Sequence, residues 1–367
     1  MCIKLAINAR FLTQRVTGVQ RYARELTAEI LTILGQDRVL LFSPAGSPEE
    51  YAGALVKQAK SPARGHAWEQ LVLPFMVKGS ESDILWSPGN AGPLLVGEHV
   101  LTIHDAAVFA HPEGFNPLFR RWYAIVLPLL AKRVKRIITV SEFSRRDIVR
   151  YLNVNEKKVS VIPNGISSIF KQLPSRTILD FKYSNELPER FILALGSKGY
   201  NKNYQRLLQA WEIIAQKRDF EDLWLITVGG KVNTLAGGRV SAGPQYSRVV
   251  DLGYVEDWKL PLLYNAAEAF IFPSLYEGFG LPPLEAMACG CPVVVSNMSS
   301  LPESCGDAAF YCDPYNPQDI AKKVKILLSY GELKKKMAYR GLRHTKRFTW
   351  NRCAHDTIAV IEKVLEK

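Results

Sequence analysis

The sequence has no CxxC cysteine pair, no Gly/Ser linker, no homopolymer run and no internal repeat, and each absence excludes a class of protein. The six cysteines (Cys2, Cys289, Cys291, Cys305, Cys312, Cys353) have no regularly spaced His partners either. That argues against a zinc module or a disulfide framework and for reduced, mostly buried thiols. Cys289-Gly-Cys291 raises redox chemistry as an alternative, but its setting, Met287-Ala-Cys-Gly-Cys-Pro-Val293, reads as tight packing at a helix end. Without linkers or repeats the chain is neither a disordered scaffold nor a solenoid. Long apolar runs are missing too. The longest, Trp122–Ala131, is about half of the roughly 20 residues that cross a bilayer. The first apolar run stops at Asn8-Ala-Arg10, too short for a signal-peptide core, so a cytoplasmic protein is expected.

What is present is the composition of an ordinary enzyme. A chain of 367 residues, 47% hydrophobic and 22% charged, is comfortable for two domains, each with its own core. The net charge of +12 implies an anionic partner without naming it. The excess lies mainly in the first half, with 22 basic against 14 acidic residues up to Lys171. Arg120, Arg121, Lys132, Arg133, Lys135, Arg136, Arg145, Arg146 and Arg150 crowd one region of it. Nucleic acid, an anionic membrane surface and a merely solvated face all fit that crowding.

Short β-rich runs alternate with helical patterns, which predicts parallel α/β architecture. In the first half, strands are expected at 3–7, 39–42, 84–86, 99–103, 136–140 and 159–162. Helices are expected at 20–34, 116–134 and 142–151, the last capped by Ser141. The pattern loosens after Pro163-Asn-Gly165 and is polar up to Glu189, which marks a boundary. A second series follows, with strands at 191–195, 224–228, 249–252, 269–272 and 292–296 and helices at 203–216, 257–266, 282–289 and 316–328. The expected organisation is a first domain over 1–170, a second over 171–345, and a terminal helix within 346–367 that returns to the first. Two doubly wound sheets bind ligands at the carboxyl ends of their strands, so a site in a cleft between the domains is expected.

The segment Phe272-Pro-Ser-Leu-Tyr-Glu-Gly-Phe-Gly-Leu-Pro-Pro-Leu-Glu-Ala-Met-Ala-Cys-Gly-Cys-Pro-Val-Val-Val295 reads as strand, glycine turn, helix, strand. Such a turn lets backbone N–H groups face a phosphate, and the helix N-terminus adds partial positive charge. Glu277 and Glu285 flank that seat, where carboxylates would repel phosphate but accept hydrogen bonds from sugar hydroxyls. Taken alone, Glu285 is equally a helix-dipole partner and Glu277 a turn residue. Asn201-Lys-Asn203 is equally a polar turn capping the next helix, and His104 equally a structural histidine at a strand end.

These residues resemble the signature of the retaining GT-B glycosyltransferases (glycosyltransferase group 1, family 4), which include bacterial mannosyl- and glucosyltransferases, sucrose synthase and glycogen synthase. Thr17-Gly-Val-Gln-Arg-Tyr22, Thr102-Ile-His-Asp105, Thr139-Val-Ser-Glu-Phe-Ser144, Val161-Ile-Pro-Asn-Gly165 and Asn201-Lys-Asn203 fall in the family's order, so the likeness covers nearly the whole chain. It most resembles bacterial mannosyltransferases of surface-polysaccharide assembly.

The resemblance implies two Rossmann-like domains, the first for the acceptor and the second for a nucleotide-sugar donor. Glu277 would hold the transferred hexose, Glu285 the ribose, and the Phe279-Gly280-Leu281 backbone the sugar and phosphate. Lys202 would neutralise the leaving diphosphate with Asn203 beside it, and Tyr254 would receive the base. Gly18 would border the donor phosphate or the acceptor, and His104 the reacting carbon. Many relatives carry Arg where this chain has Ser197, followed by Lys198; either could replace it. The family retains anomeric configuration by front-face attack in which the leaving phosphate takes the acceptor's proton. No protein nucleophile, metal or cofactor is therefore expected. GDP-mannose is the first donor the resemblance implies, with UDP-glucose and other donors open, and a glycan or lipid-linked molecule is the acceptor, with peripheral contact to anionic membrane and none with nucleic acid. An epimerase or hydrolase on the same fold, and a basic membrane-surface or nucleic-acid binding protein, are the rival readings.

Overall fold

A computed structural model describes residues 3–195, 200–229, 240–241 and 246–366. It divides the chain into two units, Met1–Gly165 with Phe348–Lys367, and Ile166–Arg347. The divisions fall a few residues from the expected 170 and 345. At the first, a Cβ on Gly165 would lie 2.3 Å from the Trp350 backbone nitrogen, so the chain up to Gly165 is packed into the first unit.

The first unit is built on strands β1 (Leu5–Asn8), β2 (Val39–Ser43), β3 (Glu50–Tyr51), β4 (Ala54–Gln58), β5 (Ile84–Ser87), β6 (His99–Thr102), β7 (Arg136–Thr139) and β8 (Val159–Val161). Their order is β3-β4-β2-β1-β5-β6-β7-β8, and every pairing except β3 with β4 is parallel. Four consecutive buried residues in each of β1, β5 and β6 are what a parallel sheet covered on both faces requires. Its helices are α1 (Gly18–Leu34), α2 (Gly65–Leu71), α3 (Leu73–Lys78), α4 (Ala107–Ala110), α5 (Pro117–Arg133) and α6 (Glu142–Leu152). Ser141 caps α6 as its spacing implied, its Oγ accepting the Ser144 N–H at 3.0 Å.

The second unit carries α7 (Ser175–Ser184), β9 (Arg190–Leu195), α8 (Tyr204–Ala215), β10 (Leu223–Val228), β11 (Val240–Ser241), β12 (Val249–Asp251), α9 (Leu260–Ala266), β13 (Ala269–Phe272), α10 (Leu281–Ala288), β14 (Val293–Ser296), α11 (Leu301–Cys305), β15 (Phe310–Cys312), α12 (Pro317–Ser329) and α13 (Gly331–Thr345). The sheet runs β11-β12-β10-β9-β13-β14-β15, parallel except for β11. The final helix, α14 (Trp350–Leu365), belongs to the first unit and packs on α1.

Three differences from the sequence reading have local causes. The polar stretch before Glu189 contains α7, which buries no residue fully and so carries little apolar signal. The helix expected at 257–266 divides into a 3₁₀ turn, Asp257–Lys259, and α9, with Pro261 setting the start of the second part. Because α10 begins at Leu281, Glu285 stands in its second turn, away from the first-turn position that a helix-dipole partner would take. Cys289, Cys291, Cys305, Cys312 and Cys353 are free and buried, and burial pushes the Cys289 thiol up to about 12, which leaves the Cys-Gly-Cys segment to packing. Among the described residues, no helix is long and apolar enough to cross a membrane.

Candidate functional site

In the second unit the strand order reverses between β9 and β13, and the loops at the carboxyl ends of these two strands are joined by hydrogen bonds. The Leu275 N–H donates to Asn201 O at 2.7 Å, and Asn201 Nδ2 donates to Tyr276 O at 3.3 Å. This brings together two residues 75 apart in sequence: Lys202 Nζ donates to Glu277 Oε1 at 2.6 Å. The same oxygen is 2.6 Å from Ser274 Oγ. The backbone of Glu277 is pinned on both sides, its N–H donating to Ser299 Oγ at 3.1 Å and its carbonyl accepting from Ser300 Oγ at 2.9 Å. Lys202 Nζ also sits 4.9 Å from the centre of the Phe272 ring, which shields one side of the ammonium from water. Ser274 lies within the segment that the sequence singled out, whereas Ser299 and Ser300 lie beyond it and carry no spacing signal of their own.

Directly after this pair comes the turn into α10. Gly280 has φ +93°, and a Cβ there would lie 2.5 Å from Leu301 Cδ2, so both conformation and space restrict the position to glycine. No side chain caps α10, and Pro282 and Pro283 carry no N–H. The two prolines leave fewer N–H donors in the first turn, but with no side chain over it the opening keeps the partial positive charge of a helix N-terminus that an anion seat needs. Phe279 is buried, and Glu285 is buried on the same helix with the Tyr264 hydroxyl 3.5 Å from Oε2. Tyr254 is half exposed just beyond the end of β12, after the left-handed Gly253.

One expectation changes. Asn203 was expected beside the diphosphate, yet its side chain is buried with Nδ2 donating to Pro273 O and Pro314 O at 3.0 and 2.6 Å. Its Oδ1 accepts from Arg206 at 3.1 Å. With φ +56° it forms the left-handed turn that carries Lys202, a conformation asparagine tolerates better than most side chains. Ser197 and Lys198 lie outside the described residues.

In the first unit the corresponding reversal lies between β1 and β5. Gly18 opens α1 after extended Thr17, and a Cβ there would meet nothing within 4 Å. Backbone and open space thus meet at the mouth of the sheet. His104 follows β6, nearly buried, with its backbone N–H donating to Asn90 Oδ1 at 2.7 Å and Nε2–H to Pro88 O at 3.0 Å. Its ring lies edge-on to Tyr22, 4.5 Å between centres. Burial pushes its pKa down to about 4, so the imidazole is neutral at pH 7 and offers Nδ1 as an acceptor. Asp105 forms a turn just before α4, one carboxylate oxygen accepting the Ala107 N–H at 2.9 Å.

The same edge holds a cavity of about 280 Å³ that sequence reasoning missed, lined among others by Arg10, His66, Glu69, Asn90, Phe119 and Tyr123. Its residues come from segments far apart in the chain, each unremarkable alone. Glu69, though almost fully buried, accepts from Asn8 Nδ2 at 2.9 Å and Arg10 Nε at 3.0 Å through Oε1, and from His66 Nδ1 at 2.9 Å through Oε2.

Two parallel-sheet α/β units with such an anion seat in the second define the GT-B class of fold. Sucrose-phosphate synthase from Thermosynechococcus elongatus shares that fold with a TM-score of 0.76 at 19% identity, over 99% of this chain and 98% of that one. Residues 16–168 match the model of Glycosyltransferase Family 4, and residues 175–344 that of Glycosyl transferases group 1. O-antigen chain mannosyltransferase B of Escherichia coli is 35% identical over 262 residues, 71% of this chain and 68% of its own length. Serotype-specific mannosyltransferase WbdA of Escherichia coli is 29% identical over 306 residues; these are 80% of this chain but 37% of that larger protein. The chain belongs to this glycosyltransferase family.

Proposed function

We propose that the chain is a retaining mannosyltransferase that moves mannose from GDP-mannose to a hydroxyl of a glycan or lipid-linked acceptor during surface-polysaccharide assembly. The observation that carries the reading is the Lys202–Glu277 pair beside the uncapped start of α10. Together they supply a cation and backbone N–H groups for a diphosphate and a carboxylate for sugar hydroxyls. The mannosyltransferase names of the two relatives above support the choice of sugar. In the reaction the bond from the anomeric carbon to the diphosphate breaks as the acceptor oxygen bonds the same face, and the acceptor proton passes to the departing phosphate oxygen. Lys202 stabilises the charge that grows on that leaving group, and Glu285 takes the ribose, without a metal, a cofactor or a protein nucleophile.

Membrane contact is part of the same proposal, at the cytoplasmic face. Leu118, Trp122, Ile125 and Leu129 form an exposed stripe at helical spacing along α5. Arg121, Lys132 and Arg133 flank it at the same spacing, an apolar face with basic edges suited to an anionic lipid surface. The carboxylates at the sugar site favour transfer over the nucleic-acid reading.

Thermal denaturation with GDP, UDP and ADP tests the donor. A ligand at one hundred times its Kd should stabilise the fold by about 2.7 kcal/mol, and GDP should be that ligand. A response to UDP alone would overturn the sugar assignment, and no response to any would overturn donor binding.

A further inference from the structure

We infer that Ser299 and Ser300 are positioning residues for the transfer, which aim the Glu277 carboxylate at the donor sugar by clamping the Glu277 backbone from the loop after β14. The inference rests on the glycosyltransferase reading and adds to it two residues that act through Glu277. Three observations carry it.

The first is a backbone conformation that serine does not favour. Ser299 has φ +56°, in the left-handed region that glycine, and after it asparagine and aspartate, adopt most readily. It follows Met298 in a turn closed by the Leu301 N–H, which donates to Met298 O at 3.3 Å. Glycine would serve that turn better. What serine adds is a hydroxyl, and its Oγ accepts the Glu277 N–H at 3.1 Å. Strained backbone of this kind gathers where a site must be held in one arrangement. Among the described residues six that are not glycine have positive φ. Two of them, Asn203 and Ser299, belong to loops bonded to the one that carries Glu277.

The second is a helix cap that is not made. Ser300 stands at the N-cap of α11, where a serine ordinarily accepts an N–H of the first turn. Its side chain makes no such bond. It is fully buried, and its Oγ–H donates instead to the Glu277 carbonyl at 2.9 Å. Two consecutive hydroxyls thus hold the N–H and the carbonyl of one residue, and neither bond serves the turn or the helix in which its serine lies.

The third is what the clamp leaves open. Glu277 Oε1 is shared by Lys202 Nζ and Ser274 Oγ, each at 2.6 Å, and among the described residues Oε2 has no hydrogen-bond partner. With the main chain fixed at one end and Oε1 at the other, the direction of Oε2 is set before a ligand arrives. A sugar hydroxyl is the group that would meet this oxygen, whereas a diphosphate meets Lys202 and the start of α10. The serines should therefore matter for the sugar and little for the nucleotide.

Ser299→Gly and Ser299→Ala test this, because both remove the hydroxyl and only the second keeps the strain. The urea midpoint should stay near the wild type in Ser299→Gly, where relief of strain offsets the lost hydrogen bond, and fall in Ser299→Ala. In both, kcat should fall equally, about ten- to a hundredfold, the scale of a group moved out of line. Ser300→Ala should lower kcat in the same range. Calorimetric titration uses two probe pairs, GDP with GDP-mannose and UDP with UDP-glucose. The variants should bind the nucleotide at least as tightly as the wild type and the sugar nucleotide several-fold more weakly. In a Glu277→Gln background Ser299→Gly should lower kcat little further, since the carboxylate through which it acts is gone. Wild-type kcat in Ser299→Gly, activity that follows the urea midpoint across the variants, or full additivity with Glu277→Gln would overturn the inference. A wild type that responds to the uridine pair alone would overturn the choice of donor, and the serines are then read with that pair. A wild type that binds neither pair would overturn the donor reading and this inference with it.

Discussion

Lys202 Nζ lies 2.6 Å from Glu277 Oε1, so the cation and the carboxylate of the proposed donor site are each other's partner. A diphosphate that recruits the lysine must take it from the glutamate, and the two substitutions should therefore act in opposite directions on binding. Lys202→Ala should weaken GDP binding and lower kcat by about 10²–10³, the scale of removing one preorganised donor to a developing charge. Glu277→Gln should lower kcat comparably but leave GDP bound as tightly or a few times tighter, because the lysine loses its competitor. Calorimetric titration with GDP, run beside steady-state kinetics, separates the two; equal weakening of GDP by both substitutions would refute the shared-lysine arrangement.

The left-handed Gly280 predicts a stability effect independent of catalysis. Gly280→Ala places a methyl about where Leu301 Cδ2 stands and forces an alanine to φ +93°. The cost should be about 2–4 kcal/mol from strain and overpacking combined. Urea denaturation should show a lower midpoint at unchanged slope. Gly18→Ala, where nothing lies within 4 Å, should cost little in the same assay.

The buried histidines predict how stability depends on pH. Burial lowers His104 to about 4 and His99 to about 3, both below the ordinary histidine value of 6.5. The unfolded chain therefore takes up protons before the folded one does. Stability should be full above pH 6.5 and fall as the pH drops from 6.5 towards 4, by up to about 3 kcal/mol for His104 alone. Urea midpoints measured from pH 7 to pH 5 check this, and a His99→Asn variant should show a shallower fall. A midpoint that rises with acidification would contradict the neutral, buried state of both rings.

Binding to anionic vesicles should follow α5. Lys135 is already paired with Glu98 at 2.8 Å and Arg136 donates to the Lys157 carbonyl, so these two have less to offer lipid than their crowding in the sequence implied. Replacing Trp122, Ile125 and Leu129 by Ser should weaken cosedimentation with phosphatidylglycerol vesicles more than neutralising Lys135 and Arg136. The reverse ranking would move the contact away from the helix.

Much of the fold was legible because its central strands are short, buried and bounded by turn residues. Β13 was read at its observed ends, Ala269 and Phe272, and the helix after it within one residue. The hairpin of β3 and β4 was missed because it lies at an edge, alternates only briefly and turns at a left-handed Gly53. In the candidate site of the second unit, Lys202 and Glu277 were legible as types in a pattern, and the structure shows that they touch. The role of Asn203 was not legible, since a buried carboxamide and an exposed one are spelled alike. The cavity around Glu69 was invisible for a related reason: Arg10, His66 and Glu69 become neighbours only once β1 and α2 are packed.

The first unit is completed by α14, which packs on α1 after the chain has passed through the whole second unit. On the ribosome the order matters. A nascent chain that has emerged as far as Arg347 carries every residue of the second unit, while α1 still lacks the apolar side chains of Trp350, Ile358 and Ile361 that cover it. A premature stop in the last twenty or so codons would thus spare the second unit and expose the first to proteases and chaperones.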